Sequence, residues 1–344
     1  MRAISLLLLS HGLLCAQTAA DSLKQGIAAF HKGNYSTARQ HLQKAVEGSP
    51  ENARARAFLA LAQAAGGSCN DAISELRRQS SANPETELRR LAGLALVQCY
   101  AAQNQMANLY AALAELQARF PSDADVLYQA ARVHMKAWND AVFDLYRKVP
   151  GSFRVNELSA EIFETQGRYA DAVSEYRKAI EKNPSAVNLH FRLGRALLLE
   201  SHRPEALQEA RKQFEAELAL NPSDAACEYQ IGQILLAGQN QAEAAARFEK
   251  AVRLSPDFPE ALVALARTRI AAKRTDEAIV LLEHAVKLQP QMEAAHYSLM
   301  LAYRNAGRSA DAQREKAEVD RLQRPPEGEF TDFLKKLGEK TPKP

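Results

Sequence analysis

Chain breakers and aromatic rings are scarce in this sequence. Its 344 residues include 15 Gly and 14 Pro, aromatic residues make up 7%, and Trp138 is the only tryptophan. So few turn-forming residues argue against a sheet protein, which needs a turn after every strand, and favour helix. Cysteine is also rare, at four. Cys69, Cys99 and Cys227 lack the spacing of a metal site. Charge of one sign is missing too: 44 Lys+Arg stand against 41 Asp+Glu, a net of +3. The two signs alternate along the chain as on a solvated helix face, and no basic stripe for nucleic acid is present. Beyond Ala20 no apolar run is long enough to span a bilayer. The phosphate-cradling, dinucleotide, nucleophile-elbow and zinc-protease motifs are absent, so no catalytic residue, cofactor or metal is expected.

The stretch from Met1 to Ala20 differs from the rest. Arg2 is followed by an apolar core from Ala3 to Leu14 and then by small residues at Cys15, Ala16, Ala19 and Ala20. This layout predicts a secretory signal cut after Ala16 or Ala20. A buried first helix is the alternative. The expected location is outside the cytoplasm of a bacterial-type cell, periplasmic or secreted. Lipid attachment at Cys15 is disfavoured, because Leu14 is not the small residue that such processing needs.

What the sequence does have is a period. Pro222, Pro256 and Pro290 are evenly spaced, and Ala244, Ala278 and Ala312 keep the same interval. Earlier units show the same marks: Gly33-Asn34-Tyr35, Ala38, Leu42, Ala45 and Pro50; then Gly67, Ala72, Leu76 and Pro84; later Gly167-Arg168-Tyr169, Ala172, Tyr176, Ala179 and Pro184. A fixed period of roughly 20–50 residues means stacked units that cannot bury their apolar faces alone. The alanines are small where two helices must approach closely. Leu42, Leu76, Tyr176, Phe214, Phe248 and Leu282 lie four residues on, one helical turn along the same face. The prolines end each second helix.

These residues resemble the tetratricopeptide repeat, a helix–turn–helix unit, over about residues 19–324. The resemblance implies an all-α, right-handed superhelical solenoid of about nine hairpins. Residues 1–20 would be a signal peptide, 21–324 the repeats, and 325–344 a capping helix and tail. In the tail, Phe330, Phe333, Leu334 and Leu337 share one helix face, which either caps the stack or binds a partner. Residues 87–150 are irregular; their pattern predicts helices over Glu85–Ala102, Met106–Arg119, Ala124–Lys136 and Asn139–Lys148, with Trp138 plugging the last turn. Residues 193–222 are four longer than a regular unit, with Pro204 opening the longer second helix. Cys69 and Cys99 fall in neighbouring repeats and read as small buried residues, with a bridge between them as the alternative. His190 and His296 share one repeat position and read as structural.

The resemblance also implies a concave wall lined by the first helix of each repeat. In the regular half its residues are Asn188, Phe191, Arg195 and Leu198; Ala226, Tyr229, Gln233 and Leu236; Glu260, Val263, Arg267 and Ile270; Ala294, Tyr297, Leu301 and Arg304. Aromatic rings interleaved with arginines suit a protein or peptide partner with acidic character. The candidate groove residues are Asn188, Phe191, Arg195, Tyr229, Gln233, Arg267, Tyr297 and Arg304. The expected function is a non-catalytic binding scaffold. A structural subunit of a cell-envelope assembly, a homo-oligomer, or a module serving an envelope enzyme in trans are the alternatives.

Overall fold

The computed structural model describes the backbone of residues 2–324 and the side chains of residues 17–324; the expected C-terminal capping helix lies outside the described residues. Among the described residues there are 17 α-helices and no strand. The chain divides into two compact units, residues 1–144 and 145–344.

The first unit holds α1 (Arg2–His31), α2 (Tyr35–Gly48), α3 (Ala53–Ala65), α4 (Cys69–Ala82), α5 (Thr86–Ala102), α6 (Met106–Arg119) and most of α7 (Ala124–Lys148). The second holds α8 (Phe153–Thr165), α9 (Tyr169–Lys182), α10 (Leu189–Glu200), α11 (Pro204–Leu220), α12 (Ala225–Ala237), α13 (Gln241–Leu254), α14 (Pro259–Ala271), α15 (Thr275–Leu288), α16 (Glu293–Asn305) and α17 (Ser309–Leu322). Apart from α7, each helix packs against a sequence neighbour as half of a hairpin, giving eight hairpins among the described residues. Within each unit, second helices also pack on the first helix of the next hairpin, as α2 does on α3 and α13 on α14. This is a helical-hairpin stack of the kind the period predicts.

The marks of the period do what their chemistry requires. Ala38, Ala72, Ala172, Ala210, Ala244 and Ala278 are fully buried, and so are Leu42, Leu76, Tyr176, Phe214, Phe248 and Leu282. Four first-helix glycines lie against second-helix side chains: Gly26 on Leu42, Gly93 on Leu116, Gly194 on Phe214 and Gly232 on Phe248. Pro50, Pro84, Pro184, Pro222, Pro256 and Pro290 each fall two residues past the end of a second helix. Pro204 is the first residue of the longer α11, as its preset φ favours. Every hairpin turn among the described residues except that between α10 and α11 holds a left-handed residue. Gly33, Gly67, Gly167 and Gly307 fill that position, while Asn104 (φ 56°), Gln239 (φ 61°) and Lys273 (φ 60°) hold it at a steric cost.

A second periodicity joins the helices of a hairpin. Arg56 of α3 reaches Glu75 of α4 at 3.3 Å, and Asn156 of α8 reaches Glu175 of α9 at 2.6 Å. Arg247 of α13 meets Glu228 of α12 at 2.8 Å, and Glu315 of α17 meets His296 of α16 at 2.6 Å. In each case the partners are 19 residues apart. In the longer hairpin the same bridge is His190 to Gln213, 23 residues apart at 2.7 Å. Leu262 and Leu281, at the same separation as the regular bridges, stand at this place in α14 and α15 as an apolar pair.

Three expectations need correction. The two helices expected over Ala124–Lys136 and Asn139–Lys148 are one 25-residue helix, α7. No Gly or Pro lies between Lys136 and Asn139 to stop it, and Ala137 and Trp138 continue a helix readily. Trp138 therefore plugs no turn; it is half exposed on the side of α7. Cys69 and Cys99 are not free apolar residues: they are joined in a disulfide, with Cα atoms 5.3 Å apart. Cys69 opens α4 and Cys99 lies near the end of α5, so adjacent hairpins bring them together. Cys227 alone of the described cysteines is a free thiol. It is buried, and burial pushes its pKa up. At the N-terminus, α1 runs through residues 16–21 without a break. No helix among the described residues is long and apolar enough to cross a membrane.

Candidate functional site

The candidate wall lies wholly in the second unit, on α10, α12, α14 and α16. A first helix buries one face against its own second helix and another against the preceding hairpin. The residues left over face outward, and they repeat with the hairpin.

The structure sorts the predicted residues into three groups. Tyr229, Gln233 and Arg267 come together. The Gln233 amide donates to the Tyr229 hydroxyl at 2.8 Å on α12. The Tyr229 ring packs against Phe258 at 5.2 Å and Phe248 at 5.9 Å between centroids. Burial raises the pKa of its phenol, the Gln233 hydrogen bond opposes the rise, and Glu260 and Arg267 are close enough to act on it with opposite signs. Arg267 Nε donates to the Ser298 hydroxyl at 3.0 Å, which in turn donates to the Ala294 carbonyl at 2.7 Å. Ser298 is buried, so this bond fixes an exposed guanidinium of α14 against α16. Arg267 also borders, with Leu236, Ala242 and Thr268, a cleft of about 250 Å³.

Arg195, Tyr297 and Arg304 form the second group. All three are exposed, Tyr297 at 47%. Tyr297 and Arg304, two helical turns apart, share a face of α16. Phe191 is half-buried and lies 5.7 Å from the Phe214 ring.

Asn188 is a correction. It was expected on the first helix but stands before it, as the N-cap of α10 in the left-handed region at φ 77°. The cause is Glu217 of α11, a fully buried carboxylate. Its Oε1 accepts from the Asn188 N–H at 2.6 Å and its Oε2 from the Phe191 N–H at 3.3 Å. A carboxylate at a helix N-terminus satisfies otherwise orphaned donors, and α10 starts late to accommodate it. Val263, also expected on the wall, is buried in the core beside Leu262. Ser298 and Glu217 were missed because each acts through a partner on another helix, Arg267 for the first and the start of α10 for the second. Only the repeat register, extended to polar side chains, could have found them.

His190 and His296 both act inside their hairpins. His190 bonds Gln213, while His296 bonds Glu315 with Nδ1 and the Pro290 carbonyl with Nε2 at 3.1 Å. What remains for a ligand is a row carrying three arginines, two tyrosines and an amide, with Glu260 as its acid. Such a row can fork hydrogen bonds to carboxylates or carbonyls and give ring area to apolar side chains.

Comparison with protein-family models agrees with the architecture. Two family models, each described as tetratricopeptide repeat, match the chain: one over residues 29–95 and 237–301, the other over residues 158–225 and 205–259. Solved structures similar to it include MamA from Desulfovibrio magneticus RS-1, residues 41 to the end (18% identity, TM-score 0.45, covering 51% of this chain and 97% of that one). Another is YrrB, described as a TPR protein with an unusual peptide-binding site (19% identity, TM-score 0.43, covering 57% of this chain and 98% of that one). No curated protein matches the chain.

Proposed function

The chain belongs to the tetratricopeptide repeat family of protein-interaction scaffolds, and from that membership we propose that it is a non-catalytic scaffold whose second unit captures a protein segment on the wall of Tyr229, Gln233, Arg267, Tyr297 and Arg304. One observation carries this reading. Arg267 is exposed yet tied at 3.0 Å to buried Ser298, so its guanidinium is held ready beside Tyr229. Holding a long side chain in place before binding lowers the entropy lost on binding. The wall's positive balance selects an extended peptide or short helix with acidic side chains. The side chains of Arg195 and Arg304 make no hydrogen bond or ion pair among the described residues, which leaves their donors for such a segment.

The test is fluorescence anisotropy with a set of labelled peptides, acidic, neutral and basic, at low and moderate salt. The intact protein is expected to prefer the acidic set and to bind more weakly as salt rises. Tyr229→Ala with Arg267→Ala should weaken that binding by about 30-fold or more, as removal of an aromatic and an arginine anchor does. Equal binding by the double variant, or no preference among the peptides, rejects the wall.

We further propose that the protein acts outside the cytoplasm. The disulfide between Cys69 and Cys99 supports this, since such bonds persist in oxidising compartments. The charge and apolar pattern from Met1 to Ala20 supports it as well. N-terminal sequencing of the protein recovered from expressing cells is expected to start at Gln17 or Asp21. An intact Met1 on cytosolic protein with both thiols reduced would rule out export.

A further inference from the structure

Helix α7 is where the hairpin rule breaks among the described residues. Its first half packs Val126, Ala130 and Val133 into the core of the first unit, as a first helix should. No second helix folds back on it, because the segment that would have done so runs straight on as the second half of α7. The face a second helix would cover is therefore largely exposed, apart from His134, which stacks on Tyr110 of α6 at 6.4 Å between ring centroids. Leu127 is 48% exposed, Tyr128 65%, Met135 61% and Trp138 51%. With Ala131, His134 and Val142 these residues recur at three- and four-residue steps along one side of the helix. The strip residues themselves are uncharged; the Arg132 guanidinium borders them, 5.9 Å from the centre of the Tyr128 ring, and the Lys136–Asp140 pair lies elsewhere on the helix. A contiguous apolar strip containing Tyr, Met and the only Trp has the composition of an interface.

We propose that a second copy of this chain covers the strip, the two α7 helices pairing antiparallel so that the second half of each replaces the fold-back helix missing from the other. Three features select this occupant. First, the half-helix that would complete the hairpin exists in the sequence but cannot reach its own first half, so only another copy supplies it; this is the logic of a domain swap. Second, an antiparallel copy opposes the two helix dipoles of the paired α7 helices. Third, the strip matches itself. A two-fold axis at Trp138 stacks Trp138 on its counterpart, with no like charges facing each other.

A single pair of helices is a small interface, so a dissociation constant of about micromolar order is expected. Sedimentation equilibrium of the chain from about 1 to 200 µM should show a monomer–dimer equilibrium. The emission of Trp138, the only tryptophan, should shift to the blue over the same range. Met135→Glu with Trp138→Glu should weaken dimerisation by about 100-fold or more. Both residues are exposed, so far-UV circular dichroism and the monomer's melting temperature should not change. Inserting Asn-Gly between Ala137 and Trp138 supplies the absent turn and should give a monomer. Tyr229→Ala with Arg267→Ala, which tests the peptide wall, should leave dimerisation intact. The proposal is overturned by a monomer throughout the range, by a dimer equally strong in the glutamate variant, or by the strip binding a different protein without self-association.

Discussion

Phe248→Ala is expected to destabilise the second unit by about 3–5 kcal/mol. The ring is fully buried, lies against Gly232 of its own hairpin, and packs at 5.9 Å from Tyr229. Its loss opens a cavity at the junction on which the proposed wall rests. The reciprocal change is informative because the helix itself would favour it. Gly232→Ala should gain about 1 kcal/mol of helix propensity. The added Cβ would stand 2.5 Å from Phe248 Cε1 and 2.8 Å from Cδ1, inside a core with no free space. Overpacking of this kind costs about 1–3 kcal/mol, so the net change should be a loss. Phe248→Leu in the Gly232→Ala background should recover most of it, since Ala266 and Leu282 form such a pair two helices on, both fully buried. Urea denaturation followed by circular dichroism measures all three. A Gly232→Ala protein as stable as the parent would show that the helices can spread, and the close approach described above would not be a constraint.

Reduction of the Cys69–Cys99 bond is the second large effect. The bond links residues 30 apart, and closing a loop of that length in the unfolded chain is worth about 3.6 kcal/mol. The loss should fall on the first unit alone, because both cysteines lie within residues 1–144. With a phosphine reductant the unfolding curve should separate into an earlier transition for the first unit and an unchanged one for the second. Cys69→Ala with Cys99→Ala should reproduce this without reductant. Melting that is insensitive to reductant and to the substitutions would mean that the hairpins hold each other without the bridge.

The parts of this fold legible in the sequence were those that depend on one residue type at one position. Proline can end a helix and alanine can allow close approach in any repeat, so Pro256 and Ala244 could be placed without coordinates. The features that escaped depend on two positions far apart, or on the absence of a stop signal. Cys69 and Cys99 meet only because α4 and α5 lie side by side. Asn188 was displaced from its helix by Glu217, 29 residues later. Trp138 looked like a turn residue because the period required a turn there, yet nothing in Lys136-Ala137-Trp138-Asn139 breaks a helix. Tyr229, Arg267 and Tyr297 could be placed on first helices from repeat register. Ser298, which anchors Arg267, could not, since serine on a first helix reads as an ordinary surface residue.

The recurring bridges between paired helices also bear on how the stack avoids assembling out of order. Neighbouring hairpins are alike enough that a first helix could dock on the wrong second helix during folding, the characteristic error of repeat proteins. Each such slip would be penalised at the bridge position. Helix α12 on α15 would set the buried Glu228 carboxylate against Leu281, and α14 on α13 would set Leu262 against Arg247. A charge stranded in an apolar seam costs more than a surface pair is worth. The alternation of ion pair, leucine pair and histidine–glutamate pair thus works as a set of keyed joints, and exchanging Glu228 and Arg247 for leucines would remove the key while leaving the joint greasy enough to close on the wrong partner.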